Sequence, residues 1–227
     1  EDKDVKAYTV YNCVNEDKFK KRITPEERER IRGEFGFKRE DTILLFCGRI
    51  IEVKGVRELL QAVINLKRPD IKLLMIGSDG LGGNVVTPYV QEVQKLVEKA
   101  GERVKFTGYI ENQNLYRYYQ SADIQVIPSL WEEAAGLIAI EGMLSGLPLI
   151  ITKSGGIIEY APSNVAVWID RDNIIPNLEA GIIQLADYKE KRKEMSELSL
   201  EQAKEFPKKK FYEDYIEVFE HEGTRKR

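Results

Sequence analysis

Thr42-Ile-Leu-Leu-Phe-Cys47 is a continuous apolar run that ends at Gly48. A short run of this kind, bounded by turn residues, is typical of a strand that is buried on both faces of a parallel sheet. After Gly55 the apolar residues recur every three or four positions, which indicates an amphipathic helix. A second apolar run covers 71–76. Residues 42–76 therefore predict a β-α-β unit.

The same alternation continues on both sides of this unit. Strands are predicted at 8–12, 104–107, 124–127, 147–152 and 165–169. Helices are predicted from Thr24-Pro25, from Thr87-Pro88, and at 115–120, 137–144, 178–185, 190–204 and 211–219. Strands and helices that alternate at this spacing specify a parallel sheet with helices on both faces. The predicted fold class is therefore α/β, with a single Rossmann-like doubly wound parallel sheet, whose ligands bind at the carboxyl ends of the strands.

Composition excludes several classes of protein. The 227 residues include 35 Lys and Arg against 38 Asp and Glu, a net charge of −3, which is not the basic footprint of a nucleic-acid binder. No apolar run approaches the roughly 18 residues that a membrane span needs. The chain begins at Glu1 with neither a Met nor a signal peptide, so we expect a piece of a longer, cytoplasmic protein.

Cysteine and histidine are scarce in this sequence. Cys13 and Cys47 are too few for a disulfide framework, and we expect free thiols in a reducing compartment. His221 is the single histidine, so Ser-His-Asp, Cys-His and His-metal sites are excluded. We predict no metal site.

Two cations flank the loop after the first buried strand. Gly48-Arg49-x4-Lys54-Gly55 matches neither a dinucleotide-binding glycine turn nor a P-loop. Arg49 and Lys54 could instead clamp a diphosphate, with the N-terminus of the following helix adding positive potential. A solvated loop with scattered charges is the alternative interpretation.

Two glutamates follow the strand at 124–127. Glu133 falls in the strand-to-helix loop, and Glu141 lies inside the next helix. Gly136 lets the backbone approach a ligand closely, and the Gly136 and Leu137 N–H groups could donate to a phosphate. A buried Glu141 needs hydrogen-bond donors, which ligand hydroxyls would supply. A pair of solvated charges remains the alternative.

Together these motifs resemble the C-terminal domain of retaining GT-B glycosyltransferases of family 4. The resemblance covers 48–159, and an interdomain segment of similar type precedes it at 10–14. Five motifs carry it in order: Gly48-Arg49-x4-Lys54-Gly55, Phe106-Thr107-Gly108-Tyr109-Ile110, Pro128-Ser129-x3-Glu133-x2-Gly136-Leu137-x3-Glu141, Ser145-Gly146-Leu147-Pro148 and Gly155-Gly156-Ile157-x-Glu159.

The resemblance implies a diphosphate clamp. Arg49 and Lys54 would hold the diphosphate of a sugar nucleotide, with help from the Gly136 and Leu137 amides. Gly48, directly before Arg49, would also belong to the donor-binding site. The same donors would stabilise the charge that develops on the leaving diphosphate, so no metal or other cofactor is implied.

The resemblance also implies roles for the remaining site residues. Glu141 would accept hydrogen bonds from the ribose hydroxyls, and Glu133 would contact hydroxyls of the donor sugar. The backbone of Tyr109 and Ile110 would receive the nucleobase. The implied catalytic residues are Arg49, Lys54 and Glu133.

The family role implies an activity and partners. A hexosyl group would pass with retention from a nucleoside-diphosphate sugar, UDP being favoured over GDP, to a glycan or lipid-linked acceptor in polysaccharide biosynthesis. Residues 1–22 would be an interdomain segment, 23–205 the nucleotide-sugar-binding domain, and 206–227 a C-terminal helix and tail. An N-terminal Rossmann-like domain would be missing, leaving the fragment little activity.

Peripheral contact with the inner face of the plasma membrane is a further expectation. Lys208-Lys209-Lys210 and Arg225-Lys226-Arg227 could touch anionic lipid, although solvated charges explain them as well.

Two other functions stay open at this point. One is a GT-B-type epimerase or phosphorylase, which the lone His221 and the lack of a pyridoxal-phosphate lysine site disfavour. The other is a non-catalytic nucleotide-binding or regulatory module. Trp131 and the tyrosines Tyr116, Tyr118 and Tyr119 are interpreted as core or interface aromatics, and Gly142 as a substitution of little consequence for the usual Ala.

Overall fold

The computed structural model describes residues 7–77 and 87–223, with side chains up to residue 220. Within these residues six parallel strands form one sheet in the order β3-β2-β1-β4-β5-β6. The strands are β1 (Thr42–Cys47), β2 (Ile71–Ile76), β3 (Val104–Gly108), β4 (Ile124–Ile127), β5 (Leu149–Thr152) and β6 (Ala166–Ile169). This strand order is that of the Rossmann fold, so the predicted fold class is confirmed.

Helices cover both faces of the sheet. They are α1 (Asp17–Lys20), α2 (Pro25–Glu34), α3 (Val56–Leu66), α4 (Pro88–Ala100), α5 (Leu115–Ser121), α6 (Leu137–Leu144), α7 (Ile157–Tyr160), α8 (Ile174–Ala186), α9 (Lys189–Gln202) and α10 (Lys208–Gly223). The starts of α2 and α4 follow from local chemistry. The hydroxyls of Thr24 and Thr87 accept from backbone N–H groups three residues on, and a proline follows each.

Strand β1 shows why the central strands are apolar throughout. Leu44 and Phe46 belong to a core shared with α3, α4 and α8, whereas Ile43 and Leu45 belong to a core shared with α5, α6 and α7. Successive side chains of a strand point to opposite faces. Burial of both faces therefore requires a continuous apolar run.

The centre of the sheet positions the site. Strand β1 pairs with β2 on one side and with β4 on the other, so that Leu44 lies opposite both Leu73 and Ile124. From β1 the chain continues outward to β2 and β3, whereas from β4 it continues outward to β5 and β6 on the other side. Ligands of such folds bind in the crevice at the carboxyl ends of these two strands.

The predicted strand at 8–12 is wrong, because the structure has no strand there. The Asn12 N–H donates to the Tyr160 hydroxyl at 3.0 Å, and the Tyr11 ring packs edge-on against Tyr160 and Phe206. Side-chain contacts therefore hold this segment where a strand would need a paired neighbour.

Other expectations concern the chain's end and the membrane. The predicted helix at 211–219 is part of the longer α10. Arg225-Lys226-Arg227 and the side chain of His221 lie outside the described residues. In the described part of the chain, no helix combines the length and apolarity that crossing a membrane requires.

Candidate functional site

The loops that follow β1 and β4 pack directly on each other. Leu130 N–H donates to the Val53 carbonyl at 2.8 Å, and the Ser129 Oγ lies 3.3 Å from the same oxygen. Gly55 has a φ of +65°, and a Cβ there would lie 1.9 Å from the Pro128 carbonyl oxygen. Only glycine fits between these loops, which explains the glycine that ends the first motif.

Lys54 and Glu133 meet where the two loops join. The Lys54 Nζ lies 2.5 Å from the Glu133 Oε1. The Ser129 hydroxyl donates to the same carboxylate oxygen. Two donors therefore orient the Glu133 carboxylate, while the Lys54 ammonium, with three N–H donors, keeps capacity for a ligand.

The loop after β5 supports Glu133 from the other side. The Gly156 N–H donates to the Glu133 carbonyl at 2.8 Å, and a Cβ on Gly155 would lie 2.5 Å from that oxygen. Three loops at the carboxyl edge of the sheet thus hold one glutamate. The Gly155-Gly156 motif is explained by this close contact.

Arg49 differs from Lys54 in its side-chain contacts. The exposed Arg49 side chain makes no hydrogen bond or ion pair with any residue that the structure describes. Gly48, just before it, lies against Gly77 at the end of β2. The guanidinium is therefore available to an anion at the crevice.

The N-terminus of α6 is the second positive feature of the crevice. Gly136 is its N-cap residue, and no side chain caps it. The first N–H groups of a helix lack partners within the helix and carry partial positive charge. These groups, at Gly136 and Leu137, can donate to an anion.

Gly136 also has a structural role that the sequence analysis missed. A Cβ at this position would lie 3.1 Å from Ile157 and 3.2 Å from Tyr160. Close packing of α6 on α7 therefore needs a glycine here, whether or not a ligand approaches.

Glu141 projects from α6 into a mostly buried environment with Tyr119. The Tyr119 hydroxyl donates to the Glu141 Oε2 at 2.8 Å. Burial raises the pKa of Glu141, and the Tyr119 hydrogen bond opposes this. Burial also raises the pKa of Tyr119 well above its usual value, so its hydroxyl remains a donor. The described residues supply no side-chain donor to Oε1, which can accept from a ligand hydroxyl.

Cys47 lies beside this pair, and its thiol stays protonated near neutral pH. Burial raises the pKa of its thiol to about 12, and a hydrogen bond with Tyr119 lowers it in part. A neutral thiol is a poor nucleophile. Cys47 and Cys13 are both free, as predicted for isolated thiols.

Tyr109 and Ile110 lie apart from the clamp. They follow β3, which is separated from β1 by β2, or about 10 Å at ordinary strand spacing. Tyr109 is 77% exposed, and Ile110 packs against the core on the α5 and α6 side. An extended ligand would have to run along the edge of the sheet to reach both groups.

Several residues of this region were not assigned by sequence reasoning. Ser129 lies within the Pro128-Ser129-x3-Glu133 motif, but its contact with Glu133 depends on the fold. Tyr119 is fully buried, as expected for a core aromatic, whereas Trp131 is 64% exposed. No sequence signal distinguished Tyr119 from Tyr116 and Tyr118, because only the helix orientation aims one hydroxyl at Glu141.

Gly142 corrects one expectation. A Cβ there would lie 1.7 Å from the Gln125 Oε1 and 2.9 Å from the Leu149 Cδ2. Gln125 is fully buried, its Nε2 donates to the Ile138 carbonyl at 3.1 Å, and its Oε1 has no partner in the described structure. The interpretation of Gly142 as a change of little consequence is therefore wrong, because Gln125 occupies the space of an alanine methyl.

Comparison with known families assigns the chain to one of them. The family model described as glycosyl transferases group 1 matches residues 27–202. The chain belongs to this family. The matched range contains β1 to β6 and every residue of the predicted clamp.

Curated relatives in this family extend beyond the chain. Spore coat protein SA of Bacillus subtilis is 31% identical over 222 residues, covering 95% of this chain and 59% of the relative. A D-inositol 3-phosphate glycosyltransferase of Corynebacterium jeikeium is 34% identical over 146 residues, covering 60% of this chain and 34% of that enzyme. The chain therefore spans no more than about three fifths of either relative's length.

Solved structures share the fold. A glycosyltransferase from Rickettsia africae superposes with a TM-score of 0.82 at 22% identity, covering 93% of this chain and 56% of that one. An Anabaena protein crystallised with UDP and glucose gives a TM-score of 0.82 at 19% identity, with the same two coverages. These likenesses support the Rossmann-like architecture found in GT-B glycosyltransferases.

Proposed function

We propose that the chain is the donor-binding part of a nucleotide-sugar-dependent glycosyltransferase. It would hold a nucleoside-diphosphate hexose, with UDP favoured over GDP, for transfer with retention to a glycan or lipid-linked acceptor. The observation that carries the proposal is the exposed Arg49, which has no side-chain partner among the described residues and shares the loop after β1 with Lys54. This loop and the N-terminus of α6 follow the two strands, β1 and β4, between which the strand order of the sheet reverses.

The diphosphate is the ligand group that this arrangement suits best. Arg49 can donate two parallel hydrogen bonds to phosphate oxygens. Lys54 adds a second cation, and the Gly136 and Leu137 N–H groups add uncharged donors. Because Glu133 already fixes the Lys54 Nζ, this cation is held in place before the ligand binds.

The same groups would assist bond cleavage. When the bond between the anomeric carbon and the phosphate oxygen breaks, negative charge grows on the leaving diphosphate. Donors already in place stabilise that charge without reorganisation. Arg49 and Lys54 are therefore the proposed electrostatic catalysts, and no metal takes part in the proposed step.

The two glutamates would recognise the uncharged parts of the donor. Glu141 has an oxygen left over from its Tyr119 bond, and it would accept from a ribose hydroxyl. Glu133, oriented by Lys54 and Ser129, would accept from hydroxyls of the sugar. The backbone at Tyr109 and Ile110, farther along the sheet edge, would receive the nucleobase.

The proposal also names the nucleotide and a second domain as partners of the chain. The likeness to an Anabaena protein bound to UDP and glucose supports the choice of UDP. Because the chain spans only part of its relatives, we propose that a second Rossmann-like domain completes the acceptor side. The chain alone would then bind donor and transfer little.

Calorimetric titration of the chain with UDP, GDP, ADP and NAD tests the donor site. Selective binding of one nucleoside diphosphate is expected, with the affinity lowered in both Arg49→Ala and Glu141→Gln. Arg30→Ala is a matched control, because Arg30 is an exposed cation on α2 that no clamp motif includes. Binding of none of the four ligands, or equal loss in Arg30→Ala, would contradict the proposal.

Transfer is tested on a chain that includes the second domain. Release of UDP from UDP-glucose with a glycan acceptor should disappear in Arg49→Ala. Selective UDP binding without turnover of any donor would instead favour a non-catalytic nucleotide-binding module.

A further inference from the structure

A cavity opens at the amino ends of the central strands β1 and β4, at the end opposite to the clamp. Its volume is about 730 Å³, and its wall includes Thr42 at the start of β1 and Asp123 just before β4. Helices α2 and α9 form its sides. Because the clamp lies at the carboxyl ends of these strands, this cavity is separate from the proposed donor site.

The wall of this cavity has an excess of positive charge. Six cationic side chains line it against four carboxylates, although the whole chain has a net charge of −3. The cations are Arg22, Arg28, Arg32, Arg39, Lys189 and Arg192, and the carboxylates are Glu29, Glu40, Asp41 and Asp123. Lys193 adds a cation in the adjoining groove.

Two of these cations share one carboxylate. Arg28 and Arg32 each lie 2.8 Å from Asp123, one on each carboxylate oxygen. Arg32 is only 2% exposed. Burial lowers the pKa of Arg32, the Asp123 charge opposes this, and the Arg28 charge lowers it further. The trio therefore carries a net charge of +1, which the nearby Glu29 carboxylate offsets in part at Arg32. The Arg28 side chain, 32% exposed, presents this charge to the cavity.

The beginning of α9 adds cations where a helix disfavours them. Lys189 is its first residue, and no described side chain caps the helix. In the same turn Arg192 donates to the Leu185 and Ala186 carbonyls, and Glu190 adds one carboxylate. A helix N-terminus carries partial positive charge and favours anions. Among the described residues Lys189 has no ion-pair or hydrogen-bond partner, and Arg22 donates only to the Leu144 carbonyl at 3.2 Å.

We propose that this cavity binds a phosphorylated ligand, whose phosphate is held by Lys189, Arg22 and the free Nη1 of Arg28. A phosphomonoester carries about two negative charges near neutral pH, which matches the excess of two cations. A soluble phosphorylated compound and a lipid phosphate headgroup present the same chemistry. Since the donor crevice lies at the other end of these strands, the ligand would be distinct from the sugar donor.

Amide NMR of the ¹⁵N-labelled chain tests this site with inorganic phosphate and glycerol 3-phosphate as probes. Saturable shifts are expected at the amides of Lys189 and Ser145. Lys189→Ser and Arg22→Ser should each weaken binding at least about threefold, and the double variant about tenfold. Neither substitution removes a packed group, so circular dichroism should not change.

Lys191→Ser is the matched control. Lys191 is exposed in the same turn of α9 but does not line the cavity, so its substitution should change affinity less than twofold. Equal weakening in this control would reduce the effect to diffuse charge attraction and overturn the proposal. Shifts that are absent, or that occur only at Gly136 and Leu137, would also overturn it.

Co-sedimentation with phosphatidylcholine vesicles, with and without phosphatidic acid, separates the two sources of phosphate. Binding that requires phosphatidic acid and is lost in the double variant would identify a lipid headgroup. Phosphate binding by NMR without vesicle binding would identify a soluble phosphorylated compound. These outcomes are independent of whether UDP binds at the clamp.

Discussion

Strand β4 has a charged cluster at each end, and the two clusters differ in how many of their charges are already paired. Just before the strand, Asp123 accepts from Arg28 and Arg32 and from the Ile43 N–H at 2.7 Å. Beyond its other end, Glu133 accepts from Lys54 and Ser129, while Arg49 has no partner among the described residues.

The difference separates charges that hold the fold from charges that await a ligand. Arg32 is buried and also donates to the carbonyls of Ser121 and Asp41, at 2.8 and 3.3 Å. Its removal would leave polar groups unpaired inside the protein. Arg49 is exposed on a loop, so folding gains little from it. For these two arginines, the presence or absence of a protein partner separates the structural cation from the one that is available to a ligand.

Asp123→Ala should have the largest effect on stability. It leaves Arg32 buried without its counter-charge, which lowers the free energy of unfolding by about 3–5 kcal/mol for a pair of this kind. Urea denaturation measures the loss. Asp70→Ala breaks the more exposed pair with Arg68 and should cost about 1 kcal/mol or less. Similar losses in both variants would contradict the comparison.

Arg49→Ala should be the opposite case, with UDP affinity reduced and stability unchanged. Loss of a charge-assisted phosphate contact weakens binding by roughly tenfold to a hundredfold. Calorimetry and urea denaturation of the same variant check both parts. A clear loss of stability would show that Arg49 has a structural role like that of Arg32.

Gly142→Ala should destabilise the fold between the two clusters by about 1–3 kcal/mol, since it overpacks a buried contact. The added methyl would collide with Gln125. Gln125→Ala in the same chain should recover part of the loss, which a double-mutant cycle of unfolding free energies measures. An additive result would place the strain at Leu149.

Tyr119→Phe should have the smallest effect and change the pH dependence of UDP binding. The variant removes the hydrogen bond that opposes the burial-raised pKa of Glu141, so that pKa rises further. A protonated Glu141 loses acceptor capacity, and affinity should therefore begin to fall at a higher pH than in the parent. At neutral pH the loss should be about threefold to tenfold.

Protonation of Glu141 has opposite effects on the stability of the fold and on UDP binding. Because the Glu141 pKa is raised in the folded chain, the protonated carboxyl favours folding at low pH. That contribution to stability is lost as the pH rises from the pKa of the unfolded chain, near 4.5, through the pKa of the folded chain.

Calorimetric titrations with UDP across this pH range, with Tyr116→Phe as control, check the effect of Tyr119→Phe on binding. Coincident pH profiles would show that Tyr119 does not position Glu141.

Much of the fold could be predicted from local pattern. The boundaries of β1, β2 and β4 match the predicted runs, because a strand buried on both faces must be apolar at every position. The prediction of a strand at 8–12 failed, since the Tyr11 ring packs on Tyr160 and Phe206 and the Asn12 N–H donates to the Tyr160 hydroxyl and not to another strand. Apolar pattern indicates burial but does not identify the neighbour.

The candidate site could be predicted as a set of residues but not as a network. Order and spacing placed Arg49, Lys54, Glu133 and Glu141 at strand ends and in a helix. The bonds from Ser129 to Glu133 and from Tyr119 to Glu141, and the fit of Gln125 against Gly142, did not follow from spacing. Each depends on the rotation of a helix or loop about its own axis.

The sequence alone thus determines the alternation of strands and helices and the positions of the turns, through its apolar periodicity and its glycines. These features follow from backbone preferences and from burial patterns among residues that are close in the chain. Lys54 and Glu133 are 79 residues apart, and Arg32 and Asp123 are 91 apart. Their pairing follows from the crossover that places β4 beside β1. Which charges are neutralised and which stay free is therefore decided by tertiary structure, since electrostatic partnership depends on distance in space and not along the chain.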